Sequence, residues 1–277
     1  MTYSELRDKE FEKISKLVYE LCGINLHDGK KELVKARLGK RLREGQFKSF
    51  AEYFRYVTTP EGSDELITMI DSLSTNLTYF FREDKHFQRL KSILPQIVRS
   101  DKSLTAPRLK IWCAGCSTGE EPYSLAITVK ELLGNDSAGA KIIATDISTR
   151  VLKTALSGIY TEEKIKKIPK DILRRHFQYG TGTSAGLFRV KQELRQLIDF
   201  RRFNLMELPP AEFRCDIIFC RNVMIYFDKA TQNSLVNRFF DCLNKGGYLF
   251  VGHSESLTGL KHDFTYIEPS IYRKTNK

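Results

Sequence analysis

The sequence predicts an α/β protein with a doubly wound, mostly parallel sheet, a small all-helical N-terminal domain and an inserted antiparallel β-subdomain. After residue 108, short apolar runs alternate with helical stretches, which is typical of parallel sheets covered by helices. Before residue 75, apolar residues recur at helical spacing. Residues 187–203 alternate between polar and apolar, which predicts exposed antiparallel strands.

The composition is that of an ordinary globular protein. The 277 residues are 41% hydrophobic and 29% charged, which excludes disordered, collagenous and disulfide-scaffold proteins. No apolar run approaches the roughly 20 residues of a membrane span, and the first residues, MTYSELRDKEFEK, lack the features of a secretory signal. We therefore expect a cytoplasmic protein without membrane insertion, whose six cysteines are reduced thiols.

The chain is basic, with 45 Lys and Arg against 34 Asp and Glu and a net charge of +11, which favours acidic partners. Residues 30–48 concentrate this charge, with eight basic and two acidic side chains. There Val34, Leu38 and Leu42 form one apolar helical face. A second face of the same helix is mostly basic and consists of Arg37, Lys40, Arg41 and Glu44. This basic face is either solvated or a docking surface, and the residues alone leave both open.

The predicted elements follow one another in a simple order. A first helix carries Phe11, Ile14, Val18 and Leu21 and is expected to end at Gly23. Further helices follow up to residue 75. Four apolar runs then predict the strands of the sheet: RLKIWCAG (108–115), AKIIATDI (140–147), CDIIFCRN (215–222) and GYLFVGH (247–253). Each of the first three is followed by a helical stretch, and Asp228 is the expected N-cap of the helix after the third.

The first predicted strand ends in CAGCSTGEEPYS (113–124), at the edge where doubly wound sheets bind ligands. Gly115 and Gly119 permit a tight turn, but the G-x-G-x-x-G of dinucleotide-binding proteins is absent. Glu120 and Glu121 begin the next helix instead. They would repel a pyrophosphate and suit a ligand with an ammonium or sulfonium group, although the helix dipole alone also favours acids there.

Asp146 ends the second predicted strand. An acid at this place commonly accepts hydrogen bonds from ribose hydroxyls, and it is also a candidate cap for the following helix. The glycine turn, the acidic helix start and the missing phosphate-binding loop together favour S-adenosylmethionine over a nicotinamide dinucleotide.

The sequence predicts no metal site. Cys113 and Cys116 form a lone C-x-x-C, without the second pair or histidine that would complete a zinc site. A redox role for this pair is the weaker alternative. The five histidines are scattered along the chain. His253 ends a predicted strand and is interpreted as a core or structural residue, with a position facing the pocket as the weaker alternative.

Five longer motifs, in order, resemble a known family. They are STNLTYFFRE (74–83), IWCAGCSTGEEPYSLAI (111–127), ATDIS (144–148), FCRNVMIYFDKATQ (219–232) and GYLFVGHSES (247–256). They closely resemble the chemotaxis receptor methyltransferases of the CheR family. The resemblance implies a Rossmann-like class I S-adenosylmethionine methyltransferase fold. It also implies methyl transfer to glutamate side chains on cytoplasmic helices of chemoreceptors, with S-adenosylhomocysteine as the product.

The resemblance also implies the residues of the site. Together with Gly115 of the turn, the expected cofactor-binding residues are Asn76, Thr78, Arg82, Glu121, Asp146, Asn204, Leu205, Arg221 and Asn222. Arg82 and Tyr226 match residues near the transferred methyl group and are the expected catalytic residues. For Tyr226, a core aromatic role within VMIYF is the alternative.

The same resemblance implies the domain organisation. Residues 1–75 form a helical receptor-docking domain, 76–107 a linker that contributes to the cofactor site, and 108–277 the methyltransferase domain, with the β-subdomain at about 179–203. The basic face near Arg37, Lys40 and Arg41 would meet acidic receptor helices.

The stretch YGTGTSAGLFRVKQEL (179–194) resembles the longer loop of members that bind a C-terminal pentapeptide tether of receptors. We expect this tether to bind by strand addition to the β-subdomain, and we expect the protein to be a monomer.

Three other functions are weighed against this one. A nucleic-acid methyltransferase would share the charge and the cofactor, but the sequence has no Asp/Asn-Pro-Pro-Tyr element for base flipping. A non-catalytic S-adenosylmethionine sensor is disfavoured by the intact set of site residues. A dehydrogenase is excluded by the first glycine turn.

Overall fold

The computed structural model describes residues 5–74, 76–98 and 109–275. The helices are α1 (Asp8–Cys22), α2 (Lys31–Glu44), α3 (Phe50–Val57), α4 (Ser63–Leu73), α5 (Asp84–Ile97), α6 (Glu120–Leu133), α7 (Thr149–Ser157), α8 (Glu162–Ile165), α9 (Lys170–His176), α10 (Gln192–Arg195) and α11 (Lys229–Cys242). The strands are β1 (Leu109–Ala114), β2 (Ala140–Asp146), β3 (Ile159–Thr161), β4 (Phe177–Tyr179), β5 (Leu187–Val190), β6 (Ile198–Arg202), β7 (Cys215–Cys220), β8 (Leu243–Val251), β9 (Thr265–Glu268) and β10 (Ile271–Arg273).

The first four helices pack around a core of their own. Val34, Leu38 and Leu42 of α2 are fully buried in it, as their spacing predicts. Helix α1 ends at Gly23, which takes a left-handed conformation with φ of 72°. The helical N-terminal region is therefore confirmed as a packed unit. Residues 99–107 of the predicted linker lie outside the described residues.

A seven-stranded sheet forms the centre of the second part, in the order β6-β2-β1-β7-β8-β10-β9. The five strands from β6 to β8 run parallel, and β10 and β9 are antiparallel additions. On β1, Ile111 and Cys113 face one hydrophobic core while Trp112 and Ala114 face another. Burial on both faces explains why this strand is a continuous apolar run. The predicted α/β fold class is confirmed.

The β-subdomain is present, but its limits differ from those expected. A separate antiparallel sheet has the order β3-β5-β4, so it begins at Ile159. Strand β6, expected in this subdomain, instead pairs in parallel with β2 at the edge of the large sheet. Its sequence IDFRR is polar because an edge strand is only partly covered, and Arg201 pairs with Asp199 and Glu212 at the rim.

Among the described residues, none of the helices combines the length and the apolar character that crossing a bilayer would need.

Candidate cofactor-binding site

A cleft lies where the parallel strands end, between the helical domain and the sheet. All the sequence-predicted site residues line it: Asn76, Thr78, Arg82, Gly115, Glu121, Asp146, Asn204, Leu205, Arg221, Asn222 and Tyr226. They come from five separate segments of the chain, and the carboxyl ends of β1, β2, β6 and β7 bring them together. This is the place where doubly wound folds bind ligands.

The glycine turn after β1 is required by a close approach of two loops. Gly115 has φ of 85°, and a Cβ on it would lie 2.4 Å from Cγ2 of Val223, in the loop after β7. Gly119 has φ of 96° and precedes α6 directly. A side chain at Gly115 would force the loops after β1 and β7 apart, and one at Gly119 would collide with Tyr160 and Ala155, so both positions require glycine.

The two acids at the start of α6 have different surroundings. Glu120 is completely buried and forms an ion pair of 2.9 Å with Lys164 of the β-subdomain helix α8. Glu121 lines the cleft and accepts a hydrogen bond from the thiol of Cys113 at 3.2 Å. Of the two acids, only Glu121 is therefore placed to contact a ligand. The structure thus distinguishes two acids that the sequence alone did not.

Arg221 follows β7 directly and is the central cation of the site. Its guanidinium is buried and donates to Oε2 of Glu121 at 2.7 Å and to Oε2 of Glu83 at 3.0 Å. The same group donates to the backbone carbonyl of Arg82. Although burial alone would raise it, the charge and hydrogen bond of Arg221 hold the pKa of Glu83 below its ordinary value. Arg221 thus fixes Glu121 and the segment of Arg82 relative to each other.

Asp146 joins the ends of β1 and β2. Its Oδ2 accepts a hydrogen bond from the N–H of Ser117 at 2.8 Å, and its Oδ1 accepts one from the N–H of Ser148 at 2.9 Å. Burial raises the pKa of Asp146, and these two hydrogen bonds oppose that rise. The carboxylate is held rigidly on the cleft wall, where its remaining lone pairs can accept from a ligand hydroxyl.

Asn76 carries a buried donor without a partner. Its backbone carbonyl accepts a hydrogen bond from Oγ of Ser117 at 3.1 Å. Nδ2 of its side chain finds no acceptor among the described residues. Buried donors are rarely left unpaired, so this amide is suited to a ligand acceptor. Asp146 can accept from ribose hydroxyls, Glu121 can face a positive group and Asn76 can donate to a carboxylate. These three side chains together fit S-adenosylmethionine.

Arg82 and Tyr226 lie on loops of the cleft. The guanidinium of Arg82 donates to the carbonyl of Leu77 at 2.9 Å and lies 5.8 Å from the ring centre of Tyr79. Tyr226 lies in the short 3-10 helix Met224–Tyr226 that precedes α11. Both side chains are partly exposed, so a substrate can reach them.

The helical domain supplies part of the cleft wall, which the sequence did not predict. Cys22 and Ile24 line the cleft on either side of Gly23, and the side-chain amide of Asn204 donates to the carbonyl of Leu21 at 2.6 Å. The break at Gly23 was the only signal of this role. Leu73 and Ser74, at the end of α4, complete this wall.

Glu255 is a second residue that sequence reasoning missed. It is buried, and it accepts hydrogen bonds from the backbone N–H groups of Asn222 at 2.8 Å, Gly252 at 2.6 Å and Ile225 at 3.2 Å. Burial raises its pKa, and these hydrogen bonds oppose the rise. The carboxylate therefore holds the loop that leads from β7 to Tyr226.

The basic face of α2 is largely engaged within the helical domain. Arg41 forms a two-pronged ion pair with Glu65, at 2.9 and 2.6 Å. Nη1 of Arg37 donates to the carbonyls of Leu73 and Ser74, at 2.6 and 3.0 Å. Lys40 lies 3.8 Å from Glu44 in a surface ion pair, and its side chain is 72% exposed. The two arginines therefore stabilise the domain and its cleft wall, and Lys40 projects towards solvent.

The cysteines carry no sign of redox chemistry. Cys113 and Cys116 are free and buried, and burial raises the pKa of both thiols well above the ordinary value. A high pKa keeps a thiol protonated and unreactive. The pair packs beneath the glycine turn.

Comparisons with known proteins agree with the motifs. Residues 76–273 match the family described as CheR methyltransferase, SAM binding domain, and residues 9–74 match CheR methyltransferase, all-alpha domain. A "Chemotaxis protein methyltransferase" of Borreliella burgdorferi is 42% identical over 96% of this chain and 94% of its own length. One of Escherichia coli K12 is 41% identical over 96% of this chain and 91% of its own length.

A third relative, "Chemotaxis protein methyltransferase 2" of Pseudomonas aeruginosa, is 42% identical over 95% of this chain and 92% of its own length. The expected methyltransferase activity and its cofactor, S-adenosylmethionine, are thereby confirmed. The chain belongs to the CheR methyltransferase family.

Proposed function

We propose that this chain methylates glutamate side chains on cytoplasmic helices of chemoreceptors and converts them to methyl esters. The observation that carries the proposal is the convergence of all the motif residues on one cleft. Its wall combines the unpartnered amide of Asn76 with the carboxylates of Glu121 and Asp146. The names of the relatives support chemotaxis as the process.

The bound cofactor supplies a methyl group already activated on a sulfonium. The acceptor glutamate has an ordinary pKa of about 4.3, so it is a carboxylate at neutral pH and needs no general base. What the chain must provide is alignment of the carboxylate with the methyl group. Positioning of two reactants can lower a barrier by about 7–11 kcal/mol in favourable cases.

The cofactor-binding roles follow from the chemistry of each side chain. Asp146 accepts hydrogen bonds from the ribose hydroxyls, and Nδ2 of Asn76 donates to the carboxylate of the methionine part. Glu121 faces the positive amino group. Leu205, on the apolar wall beside Asn204, contacts the adenine.

The reactive end of the cleft carries Arg82 and Tyr226. We propose that these two side chains orient the substrate carboxylate or the methyl donor. Both side chains are partly exposed, and buried contacts hold the loops that carry them. Arg221 fixes the backbone of Arg82, and Glu255 fixes the loop of Tyr226. A preorganised pair of this kind lowers the barrier without taking or giving a proton.

Two receptor contacts complete the proposal. In the cytoplasm, the exposed Lys40 attracts acidic receptor helices, and this charge recruits the protein to membrane receptors. A receptor tether adds as a strand to the outer edge of β4, next to the loop 180–186 that joins β4 to β5. Receptors with and without their last five residues, compared as substrates, test the tether: equal KM values contradict it.

The decisive experiment measures methyl transfer from radiolabelled S-adenosylmethionine to membranes that contain chemoreceptors, followed by mild alkali. We expect the label on the receptor band and its release as volatile methanol, since carboxyl methyl esters are labile to base. A matched reaction with the Asp146→Asn variant should lose most of the signal. Label that resists alkali, or that ribonuclease or deoxyribonuclease removes, would instead establish lysine or nucleic acid as the acceptor.

A further inference from the structure

Three potential metal ligands meet next to Arg221. Glu83 precedes α5, His86 lies in its first turn, and His253 follows β8, so chain positions 170 residues apart come together. Oε2 of Glu83 lies 3.5 Å from Nδ1 of His86 and 4.0 Å from Nε2 of His253. One ligand atom from each of the three falls within 4.8 Å of the others. None of the three residues lines the cofactor cleft.

His86 is a buried imidazole without a hydrogen-bond partner. Its side chain is 2% exposed, and within the part of the chain that the structure describes neither ring nitrogen forms a hydrogen bond. Buried polar atoms of this kind require an explanation, and binding of a metal ion would provide one. Histidine ring nitrogens are common metal ligands.

We propose that Glu83, His86 and His253 bind a zinc ion, and that the bound ion weakens binding of the cofactor. Two histidines and one glutamate, with a fourth position for water, are a common ligand set for zinc. Bond lengths of about 2.0–2.2 Å in tetrahedral geometry separate neighbouring ligand atoms by about 3.3–3.5 Å. The 3.5 Å between Glu83 and His86 matches this value, and rotation of the half-exposed His253 would bring its ring nitrogen closer than the present 4.0 Å from Glu83.

The proposal departs from the expectation that the histidines are too scattered for a metal. His86 and His253 are far apart in the sequence, and only the packing of α5 against the end of β8 brings their rings to 4.9 Å. The Glu-x-x-His spacing of Glu83 and His86 was visible, but without a third ligand it predicts nothing.

Arg221 couples the proposed metal to the cofactor cleft. Oε2 of Glu83, the oxygen nearest both histidines, is also the one that Arg221 binds at 3.0 Å. A zinc ion there competes for this oxygen and repels the guanidinium. Because Arg221 also holds Glu121, its displacement disturbs a cleft residue, and by reciprocity the cofactor weakens zinc binding by the same factor.

The first test titrates the metal-free protein with zinc in competition with a chromophoric chelator. We expect the parent protein to bind one equivalent of zinc. The zinc affinity should be at least tenfold lower in the His253→Ala variant. It should be unchanged in His27→Ala, which removes an exposed histidine elsewhere. Cobalt in place of zinc should give visible d–d bands without thiolate charge transfer. Absence of a stoichiometric site, an unaffected His253→Ala variant or a thiolate band would overturn the site.

The second test measures the affinity for S-adenosylhomocysteine by calorimetry, with and without one equivalent of zinc. We expect at least a fivefold loss of affinity with zinc in the parent protein and none in His253→Ala. Equal affinities in the zinc-loaded parent would overturn the coupling. Neither test uses a receptor or methyl transfer, so their results are independent of the proposed acceptor.

Discussion

The backbone N–H of Asn25 donates a hydrogen bond of 2.8 Å to the carbonyl oxygen of Tyr226. The helical domain is thus bonded directly to the loop of the proposed catalytic tyrosine. Tyr19 adds a second link through Oδ2 of Asp228, at 2.8 Å, where α11 begins. The helical domain therefore also shapes the proposed site of methyl transfer.

The first prediction tests this shared wall with Gly23→Ala. An alanine at φ of 72° is strained by about 1–2 kcal/mol, and its Cβ would lie 2.4 Å from the sulfur of Met206. We expect lower stability in denaturant titration and a severalfold weaker affinity for S-adenosylhomocysteine, because both neighbours of Gly23 line the cleft.

Gly182→Ala is the matched control for that variant. Gly182 has φ of 57°, with no atom within 4 Å of the added Cβ, and it lies in the β-subdomain. It should lose less stability than Gly23→Ala, because only the backbone strain applies, and it should keep the parent affinity. Parent affinity in Gly23→Ala would show that the helical wall does not contribute to binding.

A second prediction concerns the buried carboxylate of Glu255. In Glu255→Gln one oxygen becomes an NH₂ group, so the N–H of Ile225 or Asn222 faces another donor. An unsatisfied buried donor costs about 1–3 kcal/mol, so we expect a loss of stability in that range and a lower kcat. Glu212→Gln, an acid at an exposed rim position, should change neither. An unchanged kcat would mean that the loop of Tyr226 is held by other contacts.

The third prediction is a pH dependence of cofactor affinity. The pKa of Asp146 is raised above its ordinary value of 3.8, and only the carboxylate accepts hydrogen bonds on both oxygens. As the pH falls towards the raised pKa, Asp146 gains a proton and the affinity for S-adenosylhomocysteine should fall. This loss of affinity should begin at a higher pH than it would for an exposed aspartate.

Calorimetry between pH 5 and 7 checks this, with Asp146→Asn as the control. The variant should bind more weakly at every pH and should lack the part of the slope that Asp146 causes. Parallel slopes in the two proteins would assign the dependence to another group.

The fourth prediction tests receptor recruitment through Lys40. Lys40→Glu reverses an exposed charge on α2, whereas Lys245→Glu makes the same change near the start of β8, at the opposite end of the strand from the cleft. We expect a higher KM for receptor in Lys40→Glu alone, less so at high salt because exposed charges are screened. Equal KM values in the two variants would contradict docking at this face. Arg37 and Arg41 are unsuitable for this test because they hold the domain together.

A fifth prediction addresses the hydroxyl of Tyr226. Tyr226→Phe keeps the ring and removes one hydrogen-bonding group, so kcat should fall by about tenfold, which corresponds to about 1.4 kcal/mol, while cofactor affinity stays the same. Tyr266→Phe, an exposed tyrosine of β9, should behave like the parent. Full activity of Tyr226→Phe would exclude its hydroxyl from the reaction.

The sequence predicted the central strands and the cleft residues well because both depend on local signals. A strand buried on both faces is a continuous apolar run, and a cofactor turn such as that at Gly115 needs glycine at fixed places. The order of the motifs then identified the remaining candidate site residues, and the structure brings every one of them to one cleft.

The features that sequence reasoning missed all depend on contacts between distant segments. Strand β6 is polar because it lies at an edge, which its own residues cannot reveal. Whether Arg41 is available to a partner depends on Glu65, more than 20 residues away, and α2 alone gives no sign of that pair. The meeting of His86 and His253 likewise requires the completed sheet.

The cleft has one wall from each part of the chain, so its ligand acts on both parts at once. A ligand present at 100 times its dissociation constant adds about 2.7 kcal/mol to the stability of the folded state. Here that energy opposes any separation of the helical bundle from the sheet. Bound cofactor therefore lowers the population of opened chains that a protease can cut.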